Sequence, residues 1–214
     1  MRVKICGITR ADDARAAAEA GAHALGLNFV PESARYIGGV PEARALVDEA
    51  DAPEELWWAG VFVNPEAAAV LEAVRVLGLQ VVQLHGEETP AFVRELKQKL
   101  PRQVALWKAQ RVSGPQDLAA LEEYTCDGWL VDAKVSGIRG GSGQTFDWSI
   151  LRGLRRRGPF ILSGGLTPDN VGAAIHEVAP DWVDVASGVE SAPGIKDRPL
   201  MEKFMQAVSA SQKG

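Results

Sequence analysis

The feature that most constrains this chain is an alternation. Short runs rich in β-branched and aromatic residues recur eight times, and Ala-, Leu- and Glu-rich runs separate them. Val3–Ile8, Ala24–Val30, Trp57–Val63, Val81–Leu84, Ala105–Ala109, Trp129–Ala133, Phe160–Ser163 and Trp182–Ala186 read as strands. Helices are expected over Ala11–Ala20, stopping at Gly21, then from Pro41, Pro65, Pro90 and Pro115, the last to Tyr124, and over Pro168–Val178 and Leu200–Val208. Proline suits the first helical turn, where its missing N–H costs nothing, and glycine suits the residue after the last turn. Strands separated by helices are joined by crossovers, which make a parallel sheet. Eight units of roughly 25–30 residues favour an α/β fold with a closed (β/α)8 TIM barrel over an open doubly wound sheet. No linker or low-complexity stretch breaks the pattern, so residues 1–214 are expected to form a single barrel domain. The longest irregular stretch, Val135–Thr145, follows the sixth strand, where a barrel carries functional loops.

Side chains alternate in direction along a strand, which permits a second reading. Val3 and Ile5 oppose Lys4 and Cys6; Val82 and Leu84 oppose Gln83 and His85. Trp107 and Ala109 oppose Lys108 and Gln110; Val131 and Ala133 oppose Asp132 and Lys134; Val183 and Val185 oppose Asp184 and Ala186. The apolar faces are expected to meet the helices and the polar faces to point into the barrel. Lys4 and Asp184 then lie on strands that become neighbours when the barrel closes, and an ion pair between them is expected. Lys108 and Asp132 are expected to form a similar opposite-sign set, because unpaired buried charge is costly.

Composition excludes several classes. With 23 basic and 28 acidic residues the formal net charge is −5, so no basic field exists to attract nucleic acid or an anionic membrane. No apolar run is long enough to span a bilayer, and the N-terminus lacks the apolar core of a signal peptide. Two cysteines, Cys6 and Cys126, make no disulfide framework, and reduced thiols fit a cytoplasmic protein. His23, His85 and His176 lie far apart without ligand spacing, so no metal site is expected.

Chemistry is expected at the C-terminal ends of the strands, where barrel enzymes place it. Cys6 ends the first strand, one step above Lys4, whose charge favours the thiolate. On composition alone a lone cysteine is more often a small buried hydrophobe; position shifts the balance. Asp132 ends the sixth strand and shares the inward face and the rim with Cys6. Its plain alternative is a helix cap or a salt-bridge partner. A thiol and a carboxyl on opposite sides of one pocket suit paired acid and base catalysis. Gly164 and Gly165 follow the seventh strand; Ser187 and Gly188 follow the eighth. Loops in these two places commonly bind phosphate through backbone N–H groups, and glycine lets the backbone approach the anion. Arg35, after the second strand, is placed to clamp a carboxylate at the mouth.

These residues lie within motifs that resemble the phosphoribosylanthranilate isomerase family of tryptophan biosynthesis. K-I-C-G-I-T at 4–9, S-A-R-Y-I at 33–37, G-V-F-V-N at 60–64 and Q-L-H-G-E-E at 83–88 are similar to its signatures. So are G-G-S-G-Q-T-F-D-W at 140–148, L-S-G-G-L-T-P-D-N-V at 162–171, V-D-V-A-S-G-V-E at 183–190 and P-G-I-K-D at 193–197. The resemblance spans nearly the whole chain in order. The departures are small: Ala133 stands where a Ser or Thr often follows the aspartate, and Ala186 where Ser is common. The resemblance implies an Amadori rearrangement of a small-molecule substrate, with no metal and no organic cofactor. It implies Cys6 as general base, Asp132 as general acid and Arg35 as the holder of the anthranilate carboxylate. Gly164, Gly165, Ser187 and Gly188 would hold phosphate, His85 and Asp184 would contact substrate, and the segment 140–143 would close over it. A monomer or homodimer is expected.

Two alternatives stand beside this reading. A histidine-pathway barrel performs the same rearrangement, but that family places an aspartate where Cys6 stands and repeats its phosphate motif in the first half, which this chain does not. A non-catalytic phosphate-binding barrel would have no need to keep both Cys6 and Asp132.

Overall fold

A computed structural model describes residues 1–112, 114, 117–118, 121–132, 148–151 and 158–212. Eight parallel strands close into a barrel. They are β1 (Arg2–Cys6), β2 (Ala24–Asn28), β3 (Trp57–Phe62), β4 (Val81–Leu84), β5 (Ala105–Arg111), β6 (Gly128–Asp132), β7 (Phe160–Ser163) and β8 (Trp182–Val185). Each pairs with the next, and β8 returns to β1 with Lys4 opposite Asp184. Among the described residues the helices are α1 (Ala11–Glu19), α2 (Val40–Ala50), α3 (Ala67–Leu77), α4 (Pro90–Lys99), α5 (Val171–Val178) and α6 (Arg198–Ser211). A small antiparallel hairpin, β9 (Glu190–Ala192) and β10 (Ile195–Lys196), follows the barrel. The expected helix from Pro115 and the loop Val135–Thr145 fall partly or wholly outside the described residues.

Local chemistry explains the element ends. Gly7 adopts φ +76° and turns the chain after Cys6, so β1 stops short of the expected Ile8. That sharp turn is what presents Cys6 at the rim. Thr89 caps α4 by accepting a hydrogen bond from the Phe92 N–H at 3.2 Å, with Pro90 in the first turn. Asp197 caps α6 in the same way through the Leu200 N–H at 2.9 Å. Helix α5 begins at Val171 and not at Pro168, because Asn170 Oδ1 folds back to accept from the Thr167 N–H at 2.8 Å and makes a separate turn.

The apolar groups form two cores. Val3, Ile5, Leu25, Leu27, Val82, Leu84, Val131 and Val183 pack outward against the helices. Ala24, Ala59, Val81, Trp107, Ala109, Leu130, Ile161 and Trp182 fill the barrel itself. The interior is therefore apolar through its lower layers, and polar groups gather toward the C-terminal rim.

The expected parity of β5 is overturned. Trp107 and Ala109 face inward, and Lys108 lies on the outer face. The small neighbours explain it: a Cβ on Gly128 would lie 2.7 Å from Trp107 Cδ1, so the indole occupies space that only glycine leaves free. Lys108 is buried beneath the loop after β4. There its ammonium meets Glu88 at 3.0 Å, donates to the Gly86 carbonyl at 2.8 Å and lies 5.4 Å from the centre of the Tyr124 ring. The expected Lys108–Asp132 set inside the barrel does not exist.

Candidate active site

The C-terminal ends of the strands surround one cavity. It is lined by Cys6 from β1, Arg35 from the loop after β2, His85 after β4, Asp132 from β6, Gly164 and Gly165 after β7, and Asp184 and Ser187 from β8 and its loop. Eight of the nine expected site residues thus come together. The ninth, Gly188, sits behind Ser187 as a packing position: a Cβ there would lie 1.9 Å from the Leu166 carbonyl oxygen, so glycine lets the two loops touch. Segment 140–143 lies outside the described residues. A second cavity opens at the opposite end of the barrel, beside Arg2, His23, Trp57 and Trp182. Among the described residues, none of Cys6, Asp132 and Asp184 lines it.

The floor of the rim cavity is an ion pair. Lys4 Nζ donates to Asp184 Oδ1 at 2.8 Å, and both groups are buried. The expected pairing is present. Ser163 Oγ donates toward Asp184 Oδ2 at 3.3 Å, so both carboxylate oxygens are held. Burial alone would lower the Lys4 pKa, but Asp184, followed by Cys6, outweighs it and raises the ammonium above its ordinary value.

Cys6 departs from expectation. Lys4 does favour the thiolate, but burial is the larger effect and Asp184 adds to it, so the thiol is pushed above its ordinary range. Across the cavity, His85 Nε2 stands 3.5 Å from Asp132 Oδ2. The other ring nitrogen, Nδ1, lies 3.4 Å from Gln83 Nε2.

Arg35 is held from behind. Its Nε donates to Glu190 Oε1 at 2.7 Å and its Nη2 to Glu190 Oε2 at 2.6 Å, a two-pronged pair. The hydrogen bonds it donates to Glu190 hold the guanidinium pKa above its ordinary value. Lys196 Nζ also reaches Glu190 Oε1 at 2.7 Å. Burial by itself would raise the Glu190 carboxyl; Arg35 and Lys196 instead hold it below its usual range.

Sequence reasoning missed Asn28, Gln83, Glu190 and Lys196. Asn28 lines the cavity and its Nδ2 donates to Ser33 Oγ at 3.1 Å, which in turn accepts from the Arg35 N–H at 3.1 Å. The strand-end position of Asn28 and the inward parity of Gln83 were available signals. Glu190 and Lys196 lie within the quoted motifs at 183–190 and 193–197, but each reads as an ordinary charge until the hairpin pairs them.

Gly164 and Gly165 take φ values of +97° and +64°, which glycine adopts without strain. Together with Ser187 they line one side of the cavity. The cavity thus combines a thiol, a carboxyl, an arginine and a glycine-lined wall suited to an anion.

Comparison with known proteins points to one family. A family model described as N-(5′-phosphoribosyl)anthranilate (PRA) isomerase matches residues 3–207. An N-(5′-phosphoribosyl)anthranilate isomerase of Geobacter sp. (strain M21) is 44% identical over 204 residues, covering 95% of this chain and 96% of the relative. The crystal structure of the phosphoribosyl anthranilate isomerase from Thermotoga maritima superposes with a TM-score of 0.87 at 41% identity, covering 98% of this chain and 99% of that one. A phosphoribosyl anthranilate isomerase solved in complex with reduced 1-(o-carboxyphenylamino)-1-deoxyribulose 5-phosphate superposes at 0.84 with 38% identity, covering 98% and 99%.

Proposed function

The chain belongs to the N-(5′-phosphoribosyl)anthranilate isomerase family, and from that premise we infer that it converts phosphoribosylanthranilate to 1-(2-carboxyphenylamino)-1-deoxyribulose 5-phosphate in tryptophan biosynthesis. The observation that carries the residue assignment is the opposition of Cys6 and Asp132 across one cavity, with the Gly164–Gly165 wall and Arg35 around it.

Asp132, as general acid, protonates the furanose ring oxygen, and the C1′–O bond breaks as the anthranilate nitrogen donates its lone pair. The product is a protonated Schiff base. The Cys6 thiolate then removes the C2′ proton, and the electron pair moves into the C1′–C2′ bond to give an enol-amine. Reprotonation at C1′, with loss of the proton from the C2′ hydroxyl, yields the ketone. The substrate nitrogen serves as both electron source and sink. A raised thiol pKa reduces the thiolate population but strengthens the base, and the two effects partly offset each other. Backbone N–H groups at Gly164, Gly165, Ser187 and Gly188 hold the phosphate. Arg35 reads the carboxylate, and His85 and Asp184 contact the sugar. Residues 1–214 act as one catalytic barrel, cytoplasmic, as a monomer or homodimer.

The test is turnover of phosphoribosylanthranilate generated in situ. Wild type is expected to turn over, and Cys6→Ala and Asp132→Asn to lose about 100-fold or more in kcat, the scale of a general base or acid. Near-normal kcat in either variant would overturn that residue's role.

A further inference from the structure

Arg35 offers two edges to a carboxylate. The edge formed by Nε and Nη2 is already taken by Glu190 at 2.7 and 2.6 Å. The side chain lines the cavity, so what it presents there is its outer edge, with Nη1 and the second N–H of Nη2. A guanidinium whose inner edge is fixed cannot rotate about its long stem, and its outer edge is aimed before a ligand arrives. The stem is fixed too: a Cβ on Gly7 would lie 2.3 Å from Arg35 Cδ, so the arginine runs directly over the turn that follows Cys6.

Glu190 is itself secured. Lys196 stands opposite it in the register of the β9–β10 hairpin, and its ammonium is wholly buried. The three donors of Lys196 Nζ match three acceptors: Glu190 Oε1 at 2.7 Å, the Cys6 carbonyl at 2.6 Å and the Ala186 carbonyl at 3.2 Å. No donor remains for a ligand, so Lys196 is a strut. It ties the ends of β1 and β8 to the arginine's anchor. The Lys196 N–H in turn donates to Asp13 Oδ2 at 3.0 Å, which fastens the hairpin to α1. Arg35 and Lys196 carry two positive charges against one on Glu190, so the cluster keeps one formal positive charge, and only the arginine can deliver it to the cavity.

We propose that Glu190 and Lys196 are positioning residues that hold Arg35 preformed as a carboxylate reader, and so select substrates whose N-aryl ring carries a carboxylate. This rests on the reading of Arg35 given under Proposed function. The hairpin supplies no reacting group; its contribution is orientation, the kind of effect for which a misplacement of about 1 Å costs on the order of 100-fold.

The experiment compares two substrates made by condensing ribose 5-phosphate with anthranilate or with aniline, which lacks the carboxylate. Glu190→Gln keeps the size of the side chain but loses the charge and one acceptor. For the anthranilate substrate its kcat/KM is expected to fall about 10- to 100-fold, mostly through KM. For the aniline substrate it is expected to match wild type within a factor of about two, since a carboxylate reader is idle there. In an Arg35→Ala background, adding Glu190→Gln is expected to cost nothing more, a cycle that separates positioning from folding. An equal penalty on both substrates, no penalty on either, or a further loss in the Arg35→Ala background would overturn the proposal. If wild type itself shows the same kcat/KM for both substrates, the Arg35 assignment falls and this proposal falls with it. If wild type discriminates and Glu190→Gln discriminates equally well, only the positioning role fails.

Discussion

At Cys6 two opposing effects set the proton affinity of the thiol. Burial disfavours the thiolate more than the ammonium of Lys4 favours it, and Asp184 adds repulsion. Alkylation by iodoacetamide, measured in a Cys126→Ala background, is therefore expected to reach half its limiting rate at a pH above that of free cysteine. Lys4→Met is expected to move that midpoint higher still, because it removes the favourable charge; a midpoint below that of free cysteine in the parent would refute the balance described. The same lysine matters to the fold. Removing one partner of the buried Lys4–Asp184 pair leaves an uncompensated charge, so Lys4→Met is expected to lose about 3–5 kcal/mol in urea unfolding. Because the Lys4 pKa is raised on folding, its contribution is fully present at neutral pH and is lost only as pH climbs through the raised value. Unchanged stability at pH 7 would show that the pair contributes nothing. The position of Cys6 and the Lys4–Asp184 pairing were legible in strand parity. The direction of the thiol shift was not, because desolvation depends on what covers the sulfur.

At the scale of elements, legibility followed the contrast between the two faces of a strand. In β1 and β8 a charged residue sits between valines or isoleucines, so parity assigns Lys4 and Asp184 to the interior without ambiguity. In β5 Leu106, Trp107 and Ala109 leave both faces apolar, and the lone charge at Lys108 pulled the reading the wrong way. What decided it was the room beside Gly128, a fact about a different strand. The β9–β10 hairpin escaped because strands of three and two residues are too short for periodicity, although Pro193–Gly194 is a turn signal. With it went the anchoring of Arg35. The outward placement of Lys108 has a kinetic consequence. Lys108→Met is expected to destabilise the protein by roughly 3 kcal/mol or more, because it strands Glu88 beneath the loop after β4. Yet the pH dependence of kcat/KM should keep its shape, since Lys108 lies on the outer face of β5 and pairs with Glu88. A clear change in the shape of that profile would return Lys108 to the barrel interior.

Across the whole molecule the barrel separates stability from chemistry along its axis. At the N-terminal end Trp182 packs against Trp107 at 5.3 Å and Trp57 at 5.5 Å between ring centres, and the Arg2 guanidinium lies 5.3 Å over it. At the other end lie Cys6, Asp132 and the glycine-lined wall, with the packed layers of Ala59, Val81, Ala109, Leu130 and Ile161 between. Truncating a plug residue removes contacts and leaves a cavity that a closed ring of strands cannot collapse to fill. Trp182→Ala is therefore expected to cost about 3–5 kcal/mol, a fall in Tm of roughly 6–20 °C for a chain of this size. Measured well below that lowered Tm, its kcat and KM should stay within about twofold of wild type, because the proposed site lies at the opposite rim. Arg35→Ala should show the reverse: a raised KM with Tm changed by only a degree or two, since Glu190 keeps its hydrogen bond from Lys196. Strand ends on the two faces would then be energetically independent, as additivity requires of groups without shared partners. A Trp182→Ala enzyme that is fully folded yet catalytically impaired would break the division, and would mean that the plug sets the tilt of β1 or β8 and through it the aim of Cys6 and Asp184.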